Sequence, residues 1–328
     1  MSLPAPGQVL AWVVRGRMVE SVHTGHLVAL DASGRDALRL GEPEQQIYPR
    51  SCLKPLQAVG MLRAGVSLTV EQLALACASH NGEDRHREVA LGILESVGLD
   101  ATALANTPDL PLDHAAAWAW QRGGRGPEPI TQNCSGKHAA MVATCVAAGW
   151  PVAGYLDPEH PLQRHLLAVI AELTQVEQAH VAVDGCGAPQ PSTTVRGLAG
   201  AFARIAAAEE GTAEHRVAEA IRAHPFLVAG TGREDTEAMR AVPGLILKGG
   251  ADGVHAGALP DGRALAFKVS DGAARPRPVV LGAVLRELGV EPVEDWAWER
   301  VPVLGHGEPV GRVSPGFGAG ALAFGGVA

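Results

Sequence analysis

The sequence predicts an α+β fold, with a sheet built from both chain ends beside an inserted helical region. Three observations carry that expectation. The first 40 residues read as short β-rich segments, the stretch from 55 to 223 carries apolar residues at helical spacing, and β-like pieces return after Pro243.

Residues 9–14, 18–22 and 26–30 are β-rich, divided by Arg-Gly and Thr-Gly turns, and predict an antiparallel meander. After Ser51 the spacing predicts helices over 55–64, 69–78, 84–97 and 137–148, with a loop at 123–126. The Ala-rich stretches 162–173, 194–208 and 214–223 continue the helical pattern. Strand pieces follow at 245–247, 253–256 and 264–269, then a helix over 278–288 and a Gly-rich tail with no assigned form. Divided on this pattern, residues 1–50 supply the first strands of the sheet region and 51–190 the helical region. Residues 191–328 supply the helices and strands that complete the sheet.

A chain of 328 residues has ample length for a core, and 47% hydrophobic with 19% charged residues is ordinary for a soluble enzyme. A net charge of −8 argues against nucleic acid or an anionic membrane as partner. The apolar run at 9–14 is too short to span a bilayer and has no basic segment before it, so no signal peptide is expected. Five cysteines at irregular spacing fit reduced thiols in the cytoplasm.

Chemistry concentrates first at Tyr48-Pro49-Arg50-Ser51-Cys52-Leu53-Lys54. If a helix starts here, Ser51 and Lys54 share a face, and a neutral lysine could take the serine's proton. A capping serine beside a solvated lysine explains the spacing equally well. Composition adds weight. Of 27 Lys plus Arg only four are lysines, Lys54, Lys137, Lys248 and Lys268. Arginine cannot become a neutral amine, so the surviving lysines are candidates for work that a guanidinium cannot do.

Four further stretches stand out. Cys77-Ala78-Ser79-His80-Asn81-Gly82-Glu83 joins two helices, as polar chemistry or as plain capping. Asn133-Cys134-Ser135-Gly136-Lys137-His138 sets a thiol at a helix N-terminus, where dipole and cation favour thiolate; a buried inert thiol is the alternative. Asp184-Gly185-Cys186-Gly187 is a glycine-bracketed loop whose thiol could share a metal with Cys134, although no CxxC pair supports this. Lys268 lies on a predicted strand before Asp271-Gly272, either as a cleft lysine of the Ser-x-x-Lys kind or as a lone edge-strand charge.

From residue 19 to about Gly289 the chain resembles the L-asparaginase II family, the rhizobial-type or class 3 asparaginases. The motifs are Arg50-Ser51-x-x-Lys54-Pro55-Leu56-Gln57, Ala78-Ser79-His80-x-Gly82-Glu83 and Asn133-Cys134-Ser135-Gly136-Lys137-His138. With them come Asp184-Gly185-Cys186-Gly187, Ala229-Gly230-Thr231-Gly232-Arg233, Lys248-Gly249-Gly250-Ala251-Asp252-Gly253 and Lys268-Val269-Ser270-Asp271-Gly272. Asp252 stands where glutamate is more often expected.

This resemblance implies hydrolysis of L-asparagine to L-aspartate and ammonia, a fold like serine glutaminases and penicillin-recognising enzymes, and a homodimer. It implies two Ser–Lys tandems, Ser51 with Lys54 and Ser79 with Lys268, with Ser51 as nucleophile. It also implies zinc held by Cys134, Lys137 and Cys186, with Asp184 and His138 close by. Arg50, His80, Asn81, His138 and Asp184 are the expected substrate-binding residues. Two alternatives stand beside it: another Ser–Lys amidohydrolase, such as a glutaminase or a β-lactam-acylated enzyme, and a non-catalytic zinc or thiol binding module.

Overall fold

The computed structural model describes residues 5–292, 295–318 and 321. Strand β1 (Gln8–Arg15) turns at Gly16 into β2 (Met18–Leu30), and β3 (Asp36–Leu40) pairs with the second half of β2. The short β4 (Gln46–Ile47) precedes a 3₁₀ turn at Arg50–Leu53. Then come α1 (Lys54–Arg63), α2 (Val70–Ala76), α3 (Asp84–Glu95), α4 (His114–Arg122), α5 (Ser135–Ala147) and α6 (Pro161–Thr174). Three short strands follow, β5 (Val181–Val183), β6 (Pro189–Pro191) and β7 (Thr193–Thr194), with β7 paired to β4. The helices α7 (Val195–Ala206), α8 (Ala213–Ala223), α9 (Pro225–Val228) and α10 (Glu234–Ala241) lead to β8 (Ile246–Gly249), β9 (Val254–Ala258) and β10 (Ala264–Val269). Helix α11 (Arg277–Glu287) and the hairpin β11 (Pro302–Gly305) and β12 (Glu308–Pro315) complete the order.

The main sheet runs β11-β12-β1-β2-β10-β9-β8, with β3 pairing β2. Both chain ends therefore build it, as the sequence predicts. Helix α7 shows why the helical region folds onto it. Val195, Leu198, Ala199, Phe202 and Ile205 recur at helical spacing and are all buried, while Thr194 caps the helix by accepting from Gly197 N at 2.9 Å. That face packs against β2, β9 and β10. Helix α5 packs on α1, α2 and α3, and this arrangement brings the sequence-distant motifs together.

Two expectations are corrected. The Thr24-Gly25 pair is no turn, because β2 runs unbroken through it. Gly25 is there for close approach: a Cβ would stand 2.1 Å from the Lys268 carbonyl oxygen. The Gly-rich tail, left without form, supplies β11 and β12. Helices α4, α9 and α10 were also unforeseen, being short and flanked by glycine- or proline-containing stretches.

Candidate active site

Pro49 leads into the Arg50–Leu53 turn, and Arg50 adopts a φ of 53°, a left-handed conformation uncommon outside glycine. Two carboxylates hold it there. Arg50 Nε donates to Asp184 Oδ1 at 2.8 Å, and Nη1 pairs with Asp252 Oδ2. Asp252 is itself left-handed, at φ 52°, where aspartate is tolerated better than most side chains. Ser51 follows Arg50, half-buried, with a hydroxyl engaged in no hydrogen bond among the described residues.

Lys54 opens α1 and is only 1% exposed. Its Nζ donates to the Ala78 carbonyl, to Ser79 Oγ at 2.9 Å and to Cys134 Sγ at 3.1 Å. The lysine one turn beyond Ser51 thus meets Ser79. Among the described residues no hydrogen bond joins Ser51 to Lys54, or Ser79 to Lys268. Lys268 is half-buried on β10, and its Nζ donates to the carbonyls of Asp252 at 2.6 Å and Val269 at 2.7 Å. Burial lowers its pKa below the ordinary lysine value.

The Ser79–Asn81 segment is clamped between two loops. Ser79 N donates to Val228 O, His80 N to Asn133 O and Asn81 N to Ala229 O. Its serine therefore does not cap a helix. His80 is fully buried: Nδ1 accepts from Gly82 N, Nε2 meets Ser135 Oγ at 3.0 Å, and the ring stacks on His86. Burial, with the fields of His86 and Lys54, keeps it neutral. Asn81 Nδ2 donates to Glu83 Oε1 and Thr231 O, and its Oδ1 accepts from Arg233 Nη1 at 3.1 Å.

Cys134, at the N-cap of α5, and Cys186 come together although 52 positions separate them. Lys137 Nζ lies 3.1 Å from Cys186 Sγ. A hydrogen bond from Cys186 holds the Cys134 thiol well below its usual range, helped by Lys54 and Lys137 against burial; the same bond raises Cys186. Against its own burial, the charges of Cys186 and Cys134 raise Lys137. His138 Nδ1 contacts Tyr155 Oη at 2.9 Å, while its buried Nε2 makes no geometric hydrogen bond among the described residues, with Cys186 a charged neighbour. Burial pushes the His138 pKa down to about 4. Two sulfurs and a lysine nitrogen lie together here and are donors that zinc accepts, but among the described His, Cys, Asp and Glu residues only Glu234, Asp235 and His255 bring three ligand atoms within 4.8 Å of one another.

A second group escaped the sequence reading. The ligand atoms of Glu234, Asp235 and His255 lie within 4.8 Å of one another, close enough to hold a metal ion. Here they have protein partners: Asp235 accepts from His255 Nε2 at 2.7 Å and Gly249 N at 2.9 Å, and Glu234 pairs with Arg277. A histidine at a wholly buried strand position was the available signal.

A sequence profile described as L-asparaginase II matches residues 11–315. No curated protein matches at a significant level. Among solved structures, a putative β-lactamase from Bacteroides dorei is similar at 14% identity and a TM-score of 0.47, covering 81% of this chain and 93% of that one. A β-lactamase from Mycobacterium bovis is similar at 13% and 0.45, covering 81% and 95%. EstCE1, a hydrolase with promiscuous acyltransferase activity, is similar at 11% and 0.44, covering 80% and 93%.

Proposed function

The chain belongs to the L-asparaginase II family, which makes it an amidohydrolase, and we propose that it hydrolyses L-asparagine to L-aspartate and ammonia through a serine acyl-enzyme. The observation that carries this reading is the buried Lys54 amine, one turn beyond Ser51 and 2.9 Å from Ser79 Oγ. Ser51, whose hydroxyl makes no hydrogen bond among the described residues, attacks the side-chain amide carbon as Lys54 takes its proton. Backbone N–H groups around the start of α1 stabilise the oxyanion. Ser79, tied to Lys54 and working with Lys268, returns a proton to the departing ammonia. Water then cleaves the aspartyl ester and restores the serine.

In this reading Cys134, Lys137 and Cys186 would hold zinc, whose positive charge would offset the thiolates that keep Lys137 charged and so allow it to serve as a neutral donor. Asp184 and His138 border the substrate. Arg50, His80 and Asn81 act through the turns they hold. The five unpaired thiols suit the cytoplasm. No helix among the described residues is long and apolar enough to cross a membrane. The homodimer belongs to the same reading and is checked by light scattering.

The Lys54–Ser79 bond also favours a second reading, in which Ser79 is the nucleophile. Ammonia release from asparagine and glutamine, in wild type, Ser51→Ala, Ser79→Ala and Lys54→Arg, tests both. Ser51→Ala and Lys54→Arg are expected to fall to background, since arginine cannot serve as a neutral base. An ester trapped on Ser79 and mapped by mass spectrometry would establish the second reading. A Ser51→Ala variant with nearly full turnover would end the first.

A further inference from the structure

Resting on the asparaginase reading, we propose that Arg233 anchors the substrate's α-carboxylate, so that the site takes short amides bearing a carboxylate near the scissile group. The other cations around the serines are occupied. Arg50 is held by Asp184 and Asp252, Lys54 and Lys137 face thiols, and Lys268 is turned onto two backbone carbonyls. Among the described residues Arg233 meets no carboxylate. Its Nη1 donates to Asn81 Oδ1 at 3.1 Å and reaches the Ser79 carbonyl at 3.5 Å. A half-buried guanidinium thereby stands against the same residue whose hydroxyl binds Lys54.

The loop that carries Arg233 is held in place by other groups. Glu83 accepts from Thr231 N at 2.8 Å, from Thr231 Oγ1 at 2.8 Å and from Asn81 Nδ2 at 3.0 Å. The Glu83 carboxylate is therefore engaged in fixing the loop and does not pair with Arg233. Gly230, at φ 126°, passes so close that a Cβ would stand 2.5 Å from Asn81 Cγ. Thr231 and Gly232 are exposed, so the guanidinium lies at a rim that a small anion can reach. A planar guanidinium without a counter-charge at such a rim matches a carboxylate in both charge and two-point geometry.

The test compares ammonia release from L-asparagine, from succinamic acid (carboxylate kept, amine absent) and from 3-aminopropanamide (amine kept, carboxylate absent). The third compound is also measured as a competing ligand. Arg233→Gln should lower kcat/KM for the first two by about tenfold to a hundredfold, mainly through KM, as loss of a charged hydrogen-bond donor does. Its effect on 3-aminopropanamide should stay within a few-fold, and Arg233→Lys should recover part of the loss. If Arg233→Gln does not fold, the same substrate selectivity in Arg233→Lys decides. A uniform loss over all three compounds with a lower melting temperature makes Arg233 a strut for its loop and overturns the proposal. Unchanged kinetics overturn it too, as does selectivity that appears in Lys268→Met instead. A wild type that releases no ammonia from asparagine overturns the asparaginase reading itself, which is distinct from an active wild type whose Arg233 variants lack selectivity.

Discussion

Lys54, Lys137 and Lys248 are 1%, 3% and 0% exposed, so three of the four lysines in an arginine-rich chain lie in the interior. Two of them face the serines and thiols of the site. Lys248 does not: among the described residues its Nζ hydrogen-bonds only the carbonyl of its neighbour Gly249, with Asp235 nearby. Burial lowers its pKa from 10.5 to about 8. The sign follows from proton counting. In the unfolded chain the amine keeps its proton to about 10.5, and in the fold it releases it near 8, so between these values the unfolded state binds more protons and stability rises with pH. The charged form therefore costs the fold on the order of 3 kcal/mol below pH 8, a cost relieved toward pH 10.5. Lys248→Met is expected to melt above wild type at pH 7, with the gap closing as pH rises. A gap that stays constant with pH would show that the amine keeps its proton in the fold as it does in the unfolded chain. Arg50 allows a second test at this scale. Arg50→Gly and Arg50→Ala lose the same ion pairs, but only alanine must strain to reach a φ of 53°. Denaturant unfolding should find the glycine variant more stable by about 1 kcal/mol; equal stabilities would mean that the turn relaxes once the ion pairs are gone.

Local chemistry was legible at the level of elements, and pairing across elements was not. The lysine-bearing motifs and the helix start after Cys134 could be read because each depends on neighbours within a turn. The partner of Lys54 could not. Ser51 is three residues away, yet Ser79, 25 residues on, receives the hydrogen bond, because α1 packs on α2 and α5 and turns the amine inward. Arg50 and Asp252 likewise read as isolated side chains until the fold brought their two left-handed turns together. The thiol loops make the element-scale prediction. Cys134 is fixed by the start of α5, Cys186 by a loop in which Gly187 takes φ 89° and Asp184 bonds back to Ala188 and Gly187. With both loops intact, metal analysis should find about one zinc per chain, the stoichiometry of such sites. Cys134→Ser and Cys186→Ser should each lose it. Serine at Cys52, Cys77 or Cys145 should not, because burial raises the pKa of these thiols to about 12, about 12 and about 11, and none joins the cluster. Full zinc in the Cys134 and Cys186 variants would place the metal elsewhere, with Glu234, Asp235 and His255 the first place to look.

At the scale of the molecule, the sheet joins segments about 300 residues apart. β12 pairs with β1 from Ala11↔Pro315 to Arg15↔Gly311, and Gly316 N adds a bond to Leu10 O. The tail could not be read as strand because β12 is mostly exposed and does not alternate: of its eight residues only Val313 and Ser314 are buried. Its extended form comes from the partner strand rather than from its own pattern. Lys268, by contrast, sits on β10, separated from β12 by β2 and β1, and its neighbours in register are His26 and Val254. Removing residues 302–328 should therefore separate stability from chemistry. The cut bares the hydrogen-bonding edge of β1 and uncovers Leu10, Ala11 and Val13, all now 0% exposed, which leaves an apolar edge strand prone to pair with other chains. The truncated protein should melt lower and aggregate on mild heating, while its soluble fraction keeps a KM for asparagine within a few-fold of wild type. Thermal melts, light scattering and ammonia assays read these separately. If truncation leaves the melt unchanged, the hairpin contributes no stability to the sheet. If it abolishes turnover in protein that remains folded, the sheet transmits its closure to the site across β1 and β2, and the edge is part of the catalytic framework.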